Sequence, residues 1–518
     1  MKKLCFLVLI MMLQLFVLPT DFVVNAQTVE KITVNLNGVK SIGKTIQASL
    51  DRALEDQSGN VLYEITLPKG TYQLDTLLKV FSYTTIKMEG CTLVRDADKS
   101  MIRIGYEDTR YTGYNGIHDI AIIGGCIDGN VKMKCSTSMV RMGHGANITI
   151  RNVTFRNAYN SHHMEMAGCR NVLIEDCTFT GYYTNKKDVT NSGNYEALQL
   201  DVLHEGRHFP KYPILDDTPC RDVTVKGCTF EKLQRGLGIH SGVAGSYFTN
   251  IQFIDNTFTD IRGYAIIATN FQSSEISGNV IKNCGAGILF RSMVQGNNNF
   301  YTPVSGKVTI DNDANSVIKN NIIQVTDRKY KTTAYGISLY GQKLTKKTKD
   351  VPKGDYTLHG VTICDNTITM NNSGYGIWLQ GTKKCTVENN SVVMNIKASA
   401  SGKGNSDCIR LVRSKNAVIN NNTFTQKKIN KKTKEACGIA MTTDSDATIT
   451  KNKINNSPKD GIFLNSKCKA TVKNNTIKKT GRYGLNVAGK STMISKKNKI
   501  TKCKKRKTNA SGGGKIKG

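Results

Sequence analysis

One beat recurs through most of this chain: a small or polar residue, then apolar, any residue, apolar. It reads His163-Met164-Glu165-Met166, Ala197-Leu198-Gln199-Leu200, Gly236-Leu237-Gly238-Ile239, Ala265-Ile266-Ile267-Ala268, Gly287-Ile288-Leu289-Phe290, Gly336-Ile337-Ser338-Leu339, Gly376-Ile377-Trp378-Leu379, Gly461-Ile462-Phe463-Leu464 and Gly484-Leu485-Asn486-Val487. A second strand type alternates with it, apolar-x-apolar-x-x-Asn-x-apolar, as in Ile251 to Phe258, Val361 to Ile368, Ala417 to Phe424 and Ala470 to Ile477. Where no loop intervenes, copies lie about 22 to 32 residues apart, the length of one coil of a β-solenoid. Each coil buries its apolar face only by stacking on the next, so 518 residues imply one elongated body rather than several domains.

The recurring Asn predicts a ladder of side-chain amides inside one turn, each bonding to the next coil. Cys177 and Cys228 hold the same position in earlier coils, so they read as stacked buried thiols. The cysteines do not have the tight paired spacing of a disulfide scaffold, and no Cys/His spacing fits a structural zinc site.

Residues 1–26 carry a basic start, an apolar run and Val24-Asn25-Ala26, and read as a secretory signal. Residues 27–502 are then a single β-solenoid domain. Ile46, Leu50 and Leu54 recur at helical spacing, which predicts a short amphipathic helix over about 44–56 covering the open end of the first coil. Charged rungs occupy about 139–292, and residues 503–518 read as a basic flexible tail. Net charge is +32, and from Asn421 onward 25 Lys and Arg face four acids. For an exported chain with no membrane span after the signal, this points to acidic polysaccharide or an anionic cell-wall polymer rather than nucleic acid.

With the helix, the Leu67-Pro68-Lys69-Gly70-Thr71-Tyr72 stretch, the Gly124-Gly125-Cys126-Ile127-Asp128-Gly129 turn and both coil motifs in view, the sequence resembles the right-handed parallel β-helix proteins of the pectate-lyase and polygalacturonase type. The resemblance covers nearly the whole mature chain and implies an all-β fold. It is weaker for activity, since that fold serves lyases, hydrolases, epimerases, phage spikes and adhesins. Polygalacturonase-type hydrolases carry Asn-Thr-Asp, Asp-Asp, Gly-His-Gly and Arg-Ile-Lys on successive coils. Here Asp201, His240 and Arg291 follow in similar order, but Asp216-Asp217 falls in a loop and leaves that signature incomplete.

Taking Leu198 as inward, strand alternation puts the residues one before, one after and three after it on the outer face. The resulting columns read Arg103, Arg141, Glu165, Gln199, Gly238; then Ala167, Asp201, His240, Thr269, Arg291; then His163, Ala197, Gly236. Glu196 and Arg235 fall in the preceding turn, where alternation does not fix direction. At about 4.8 Å between rungs, Asp201 should adjoin His240, and Glu165 should lie about 8 Å from Asp201. That separation suits two carboxylates with a water between them in inverting glycoside hydrolysis.

These residues therefore predict catalysis by Glu165 and Asp201, with His240 and Glu196 assisting, over a groove floor left open by Ala197, Gly236 and Gly238. Substrate contacts are expected from Arg141, His163, Gln199, Arg235, Arg291 and the outward Trp378. Hydrolysis needs no cofactor; a lyase on the same groove would use calcium, for which Glu165, Glu196 and Asp201 are the available acids. The non-catalytic alternatives are a ladder of mutually neutralised charges, Arg141 to Glu165 and Asp201 to His240, and a solenoid that only binds an anionic envelope polymer.

Overall fold

The computed structural model describes residues 28–56, 58–105, 110–185, 195–204, 209, 212–294, 299–326, 334–346, 351–395, 406–428 and 436–518. The expected signal at 1–26 lies outside them. Three long parallel sheets of 18, 15 and 15 strands wrap one apolar core, each coil contributing in turn to each sheet. In one coil, Arg170–Glu175 lies in the first sheet, Thr178–Tyr183 in the second and Glu196–Asp201 in the third.

The corner between the first two sheets explains the Asn motif. The residue before each ladder Asn is in the left-handed region, as at Asp255 (φ 54°), Asp365 (φ 57°) and Asn421 (φ 52°), a conformation that Asp and Asn tolerate better than other non-glycine residues. The next Asn turns inward and donates to its counterpart one coil on. Asn256, Asn279, Asn321, Asn366, Asn390, Asn422, Asn452, Asn475 and Asn498 are joined this way at 2.9 to 3.1 Å. The thiols continue the ladder: Cys228 N–H donates to Asn256 Oδ1 at 2.9 Å, and Cys177 N–H to Cys228 Sγ at 3.4 Å. Beside this corner, Phe155, Phe179, Phe230 and Phe258 stack at 4.8 to 4.9 Å between centroids.

The cap helix runs Ile42–Glu55 and buries Ile46, Leu50 and Ala53 on the first coils. It starts at Ser41, whose hydroxyl accepts the Lys44 N–H, and it is preceded by the strand Thr28–Thr33. At the other end the flexible tail is corrected. Arg506–Ala510 pairs with Tyr483–Val487, and Lys515–Lys517 with Thr492–Lys496, so the polar tail forms a further coil through backbone hydrogen bonds. The ends of the lysine-rich segment 343–355 form the antiparallel pair Gln342–Leu344 and Gly354–Tyr356.

Candidate functional site

The third sheet aligns the expected column: Arg103, Arg141, Glu165, Gln199 and Gly238 are partners on successive strands, and Ala167 partners Asp201. Glu165 and Asp201 thus sit on adjoining rungs of one face, 5% and 4% exposed.

Alternation fails at the start of each strand. The residue immediately before the inward apolar one points into the solenoid corner, not outward. A Cβ at Gly236 would lie 2.8 Å from the Phe258 ring, and one at Gly376 2.3 Å from Val392. Small residues recur there because the corner has no room, so Gly236 and Ala197 do not open a groove floor. Gly238 has φ +131° and passes so close to the Ile267 carbonyl that a side chain would collide with it.

His163 belongs to that inward column. It is 1% exposed, edge-on to Phe179, with Nε2 3.1 Å from the carbonyl oxygens of Thr180 and Gly181. Burial drives its pKa down to about 4, so it is a neutral core histidine rather than a substrate contact. Its neighbour His162, which alternation overlooks, takes the outward turn position shared by Ser138, Glu196 and Arg235. His162 Nδ1 lies 2.6 Å from the Glu196 carbonyl oxygen, and its ring stacks on His240 at 6.2 Å.

His240 does not pair with Asp201 as expected. Strand pairing with the 196–201 strand ends at Gln199 opposite Gly238, and beyond that kink His240 reaches back to Glu196, Nδ1 to Oε2 at 2.7 Å. The other Glu196 oxygen accepts Arg235 Nη1 at 3.1 Å. Burial alone would raise the Glu196 carboxyl; His240 and Arg235 outweigh it and hold the group ionised, well below the usual carboxylate range.

Ser241 takes the place expected of His240. Its hydroxyl donates to Asp201 Oδ1 at 2.6 Å, the Val202 N–H to the same oxygen at 2.8 Å, and Gln199 Nε2 to Oδ2 at 2.6 Å. All three donors are neutral. Burial, with the charge of Glu165 nearby, pushes the Asp201 carboxyl up to about 6. Glu165 has different company: Arg141 Nε and Nη2 each lie 3.0 Å from its Oε2, and Ser138 Oγ lies at 2.9 Å. Burial opposes its charge, but Arg141 with further donors prevails and holds its pKa below the ordinary value. Half of the charge-ladder alternative is therefore present, Arg141 on Glu165, while the other half is not.

The arginines divide accordingly. Arg141 and Arg235 are neutralised by Glu165 and Glu196. Arg291 instead donates to neutral acceptors, Nε to Thr269 Oγ1 at 3.0 Å and Nη2 to the His240 carbonyl at 2.7 Å, above the Phe300 ring. Burial lowers its pKa to about 10, leaving it charged at neutral pH. Gln199 keeps a buried Oε1 without a hydrogen-bond partner. Trp378 lies on the same outward column, further along the sheet. The loop after Asp201 walls the face: Leu203, Phe209 and Tyr212 pack on Ala167, Phe209 lies under Arg141, and the Tyr212 hydroxyl donates to the Ile104 carbonyl at 3.0 Å. Among the described residues no group of three or more His, Cys, Asp or Glu converges to hold a metal ion, and no helix is long and apolar enough to cross a membrane.

The fold and this walled face define a parallel β-helix with a charged, loop-covered sheet. The family described as "right handed beta helix region" matches residues 120–270, 241–424 and 394–517, and the chain belongs to that family. It is 24% identical over 423 residues to the plasmin and fibronectin-binding protein A of Streptococcus pneumoniae, covering 71% of this chain and spanning 58% of that protein's length. Among solved structures it is similar to PfbA, a surface adhesin of the same species (TM-score 0.52, 17% identity, 87% of this chain and 91% of that one). It is also similar to a tailspike protein of E. coli bacteriophage HK620 (TM-score 0.52, 12% identity, 93% and 76%).

Proposed function

We propose that this chain is an exported β-helix that cleaves a uronic-acid-containing polysaccharide by acid/base hydrolysis across Glu165 and Asp201. The observation that carries the reading is the unequal company of two buried carboxylates on adjoining rungs. Asp201, surrounded by neutral donors, keeps its proton to about pH 6; Glu165, gripped by Arg141, stays ionised. Such a separation assigns acid and base. Asp201 protonates the glycosidic oxygen as its bond to the anomeric carbon breaks, and Glu165 takes a proton from the water that attacks that carbon. His240, oriented by Glu196, carries protons beside them. Arg291, whose partners are neutral, receives the uronate carboxylate.

A second reading has specific support. The relative at 24% identity is named for binding plasmin and fibronectin, and the last coils here carry 25 basic against four acidic side chains from Asn421 on. On that reading the protein is a surface-associated binder, holding an anionic envelope polymer through those coils. The two are separated by incubating the mature protein with a panel of acidic and neutral polysaccharides, with and without calcium. New reducing ends without absorbance of unsaturated uronides support hydrolysis; absorbance that requires calcium identifies a lyase. Silence across the panel, with binding that weakens steeply as salt rises, supports the binder.

A further inference from the structure

Beyond the carboxylates, the outward column of the third sheet continues from Gln199 through Gly238, Ile267, Leu289 and Ser338 to Trp378, and then to Arg410. At about 4.8 Å per rung, Trp378 stands about 24 Å from Gln199 on the same face. It is the chain's single tryptophan. Its ring is half-buried against two tyrosines of the turn column, Tyr375 at 4.5 Å and Tyr335 at 5.8 Å between centroids.

Arg410 lies beside it on the next rung, 8% exposed, its guanidinium 5.5 Å from the centre of the Tyr375 ring. One edge is fixed, Nε donating to Asp407 Oδ2 at 2.6 Å. Asp407 cannot turn its other oxygen to the guanidinium, because Oδ1 accepts the Cys437 N–H at 2.8 Å. Arg410 Nη2 is therefore buried without an acceptor. Buried guanidinium hydrogens are ordinarily satisfied, and the missing partner here is an acceptor next to an aromatic ring. A carboxylate supplies the acceptor with charge-assisted geometry, and a sugar ring has an apolar face that an indole can stack against.

We propose that Trp378, Tyr375 and Arg410 form a second saccharide subsite, which stacks one ring of an acidic polysaccharide on Trp378 and holds its carboxylate on Arg410. The subsite does not depend on cleavage at Glu165 and Asp201, and it stands equally if the protein only binds. A chain lying along the third sheet would touch both places.

Because the tryptophan is unique, its emission reports this subsite alone. The full-length Asp201→Asn protein, which leaves the subsite intact, is titrated with oligogalacturonate, oligomannuronate and the same oligomers with their carboxylates reduced to alcohols. The expected result is a saturable change in Trp378 emission with at least one uronate series, absent or about tenfold weaker with its reduced counterpart. Arg410→Lys, which keeps the charge facing Asp407 but loses the second edge, weakens the response by a similar factor. Emission unaffected by either uronate, or responding equally to acidic and reduced oligomers, or unchanged in Arg410→Lys, overturns the proposal. Cleavage lost in Asp201→Asn with the emission response retained separates this subsite from the hydrolytic pair.

Discussion

Arg141 and Ser138 both donate to Glu165, whereas Asp201 receives only neutral donors, and this difference fixes a pH dependence. Cleavage that needs the Asp201 proton should fall as pH rises through about 6, and its acid limb should lie below the ordinary carboxylate range because Glu165 is held ionised. A pH profile of kcat/KM checks both limbs. The same shift acts on stability. The unfolded chain releases this proton near 3.8 and the folded chain near 6, so the contribution is complete below about 3.8 and lost as pH rises through 6. Asp201→Asn should lack that slope in chemical unfolding measured across this range. Glu196 belongs to stability as well as to positioning: its side chain is fully buried and pairs with both Arg235 and His240, so removing it breaks two charged contacts at once. Glu196→Ala should cost about 3–5 kcal/mol in denaturant unfolding, and a loss below about 1 kcal/mol would show the pair to be unimportant. At this scale the sequence was readable where alternation holds, as for Arg141, Glu165 and Gln199. It misled where the chain enters a strand from a corner. There, two successive residues turn inward, so His163 is core and His162 faces the site. The recurring Gly, Ala and Cys at the His163 position were the available clue, since only small residues are repeated where space is short.

The coil corner is the element on which the solenoid's register rests. Asn366 accepts the backbone N–H and the amide of Asn321, and donates to Asn390 Oδ1 and to the Ile318 and Cys364 carbonyls. Asn366→Ala should destabilise by about 1–3 kcal/mol, because the Asn321 N–H is left buried without an acceptor. An unchanged unfolding midpoint would mean that the corner holds without its ladder. The repeated Asn was legible in one sequence because each amide needs an identical neighbour, and Cys177 and Cys228 were legible for the same reason. The cap helix was legible from the spacing of Ile46 and Leu50, although Leu54 of the same pattern is exposed while Ala53 is buried, and the start at Ser41 lies earlier than apolar periodicity alone indicates. The bend after Gly238 was not legible. It depends on how closely that glycine approaches Ile267 in the next coil, and it redirects His240 from Asp201 to Glu196.

Over the whole molecule, charge and order are coupled at the C-terminal end. Composition makes residues 503–518 look like a solvated tail, yet they close the last coil by backbone pairing, which needs little apolar content. Backbone amides within Arg506–Ala510 should accordingly exchange hydrogen much more slowly than those of an unstructured peptide; exchange at the unstructured rate would return this segment to a tail. The length of the sheet gives the molecule one continuous face, with the unequal carboxylates at one place and Trp378 with Arg410 at another. On that face Glu165 and Asp201 are proposed to perform acid/base cleavage. It is tested most directly by comparing wild type with Glu165→Gln and Asp201→Asn on an acidic polysaccharide, measuring bound polymer and released reducing ends in the same samples. All three should bind alike, while each variant loses about 100-fold or more of the cleavage. Cleavage that survives in either variant, or a wild-type protein that binds the polymer and releases no ends, would contradict it.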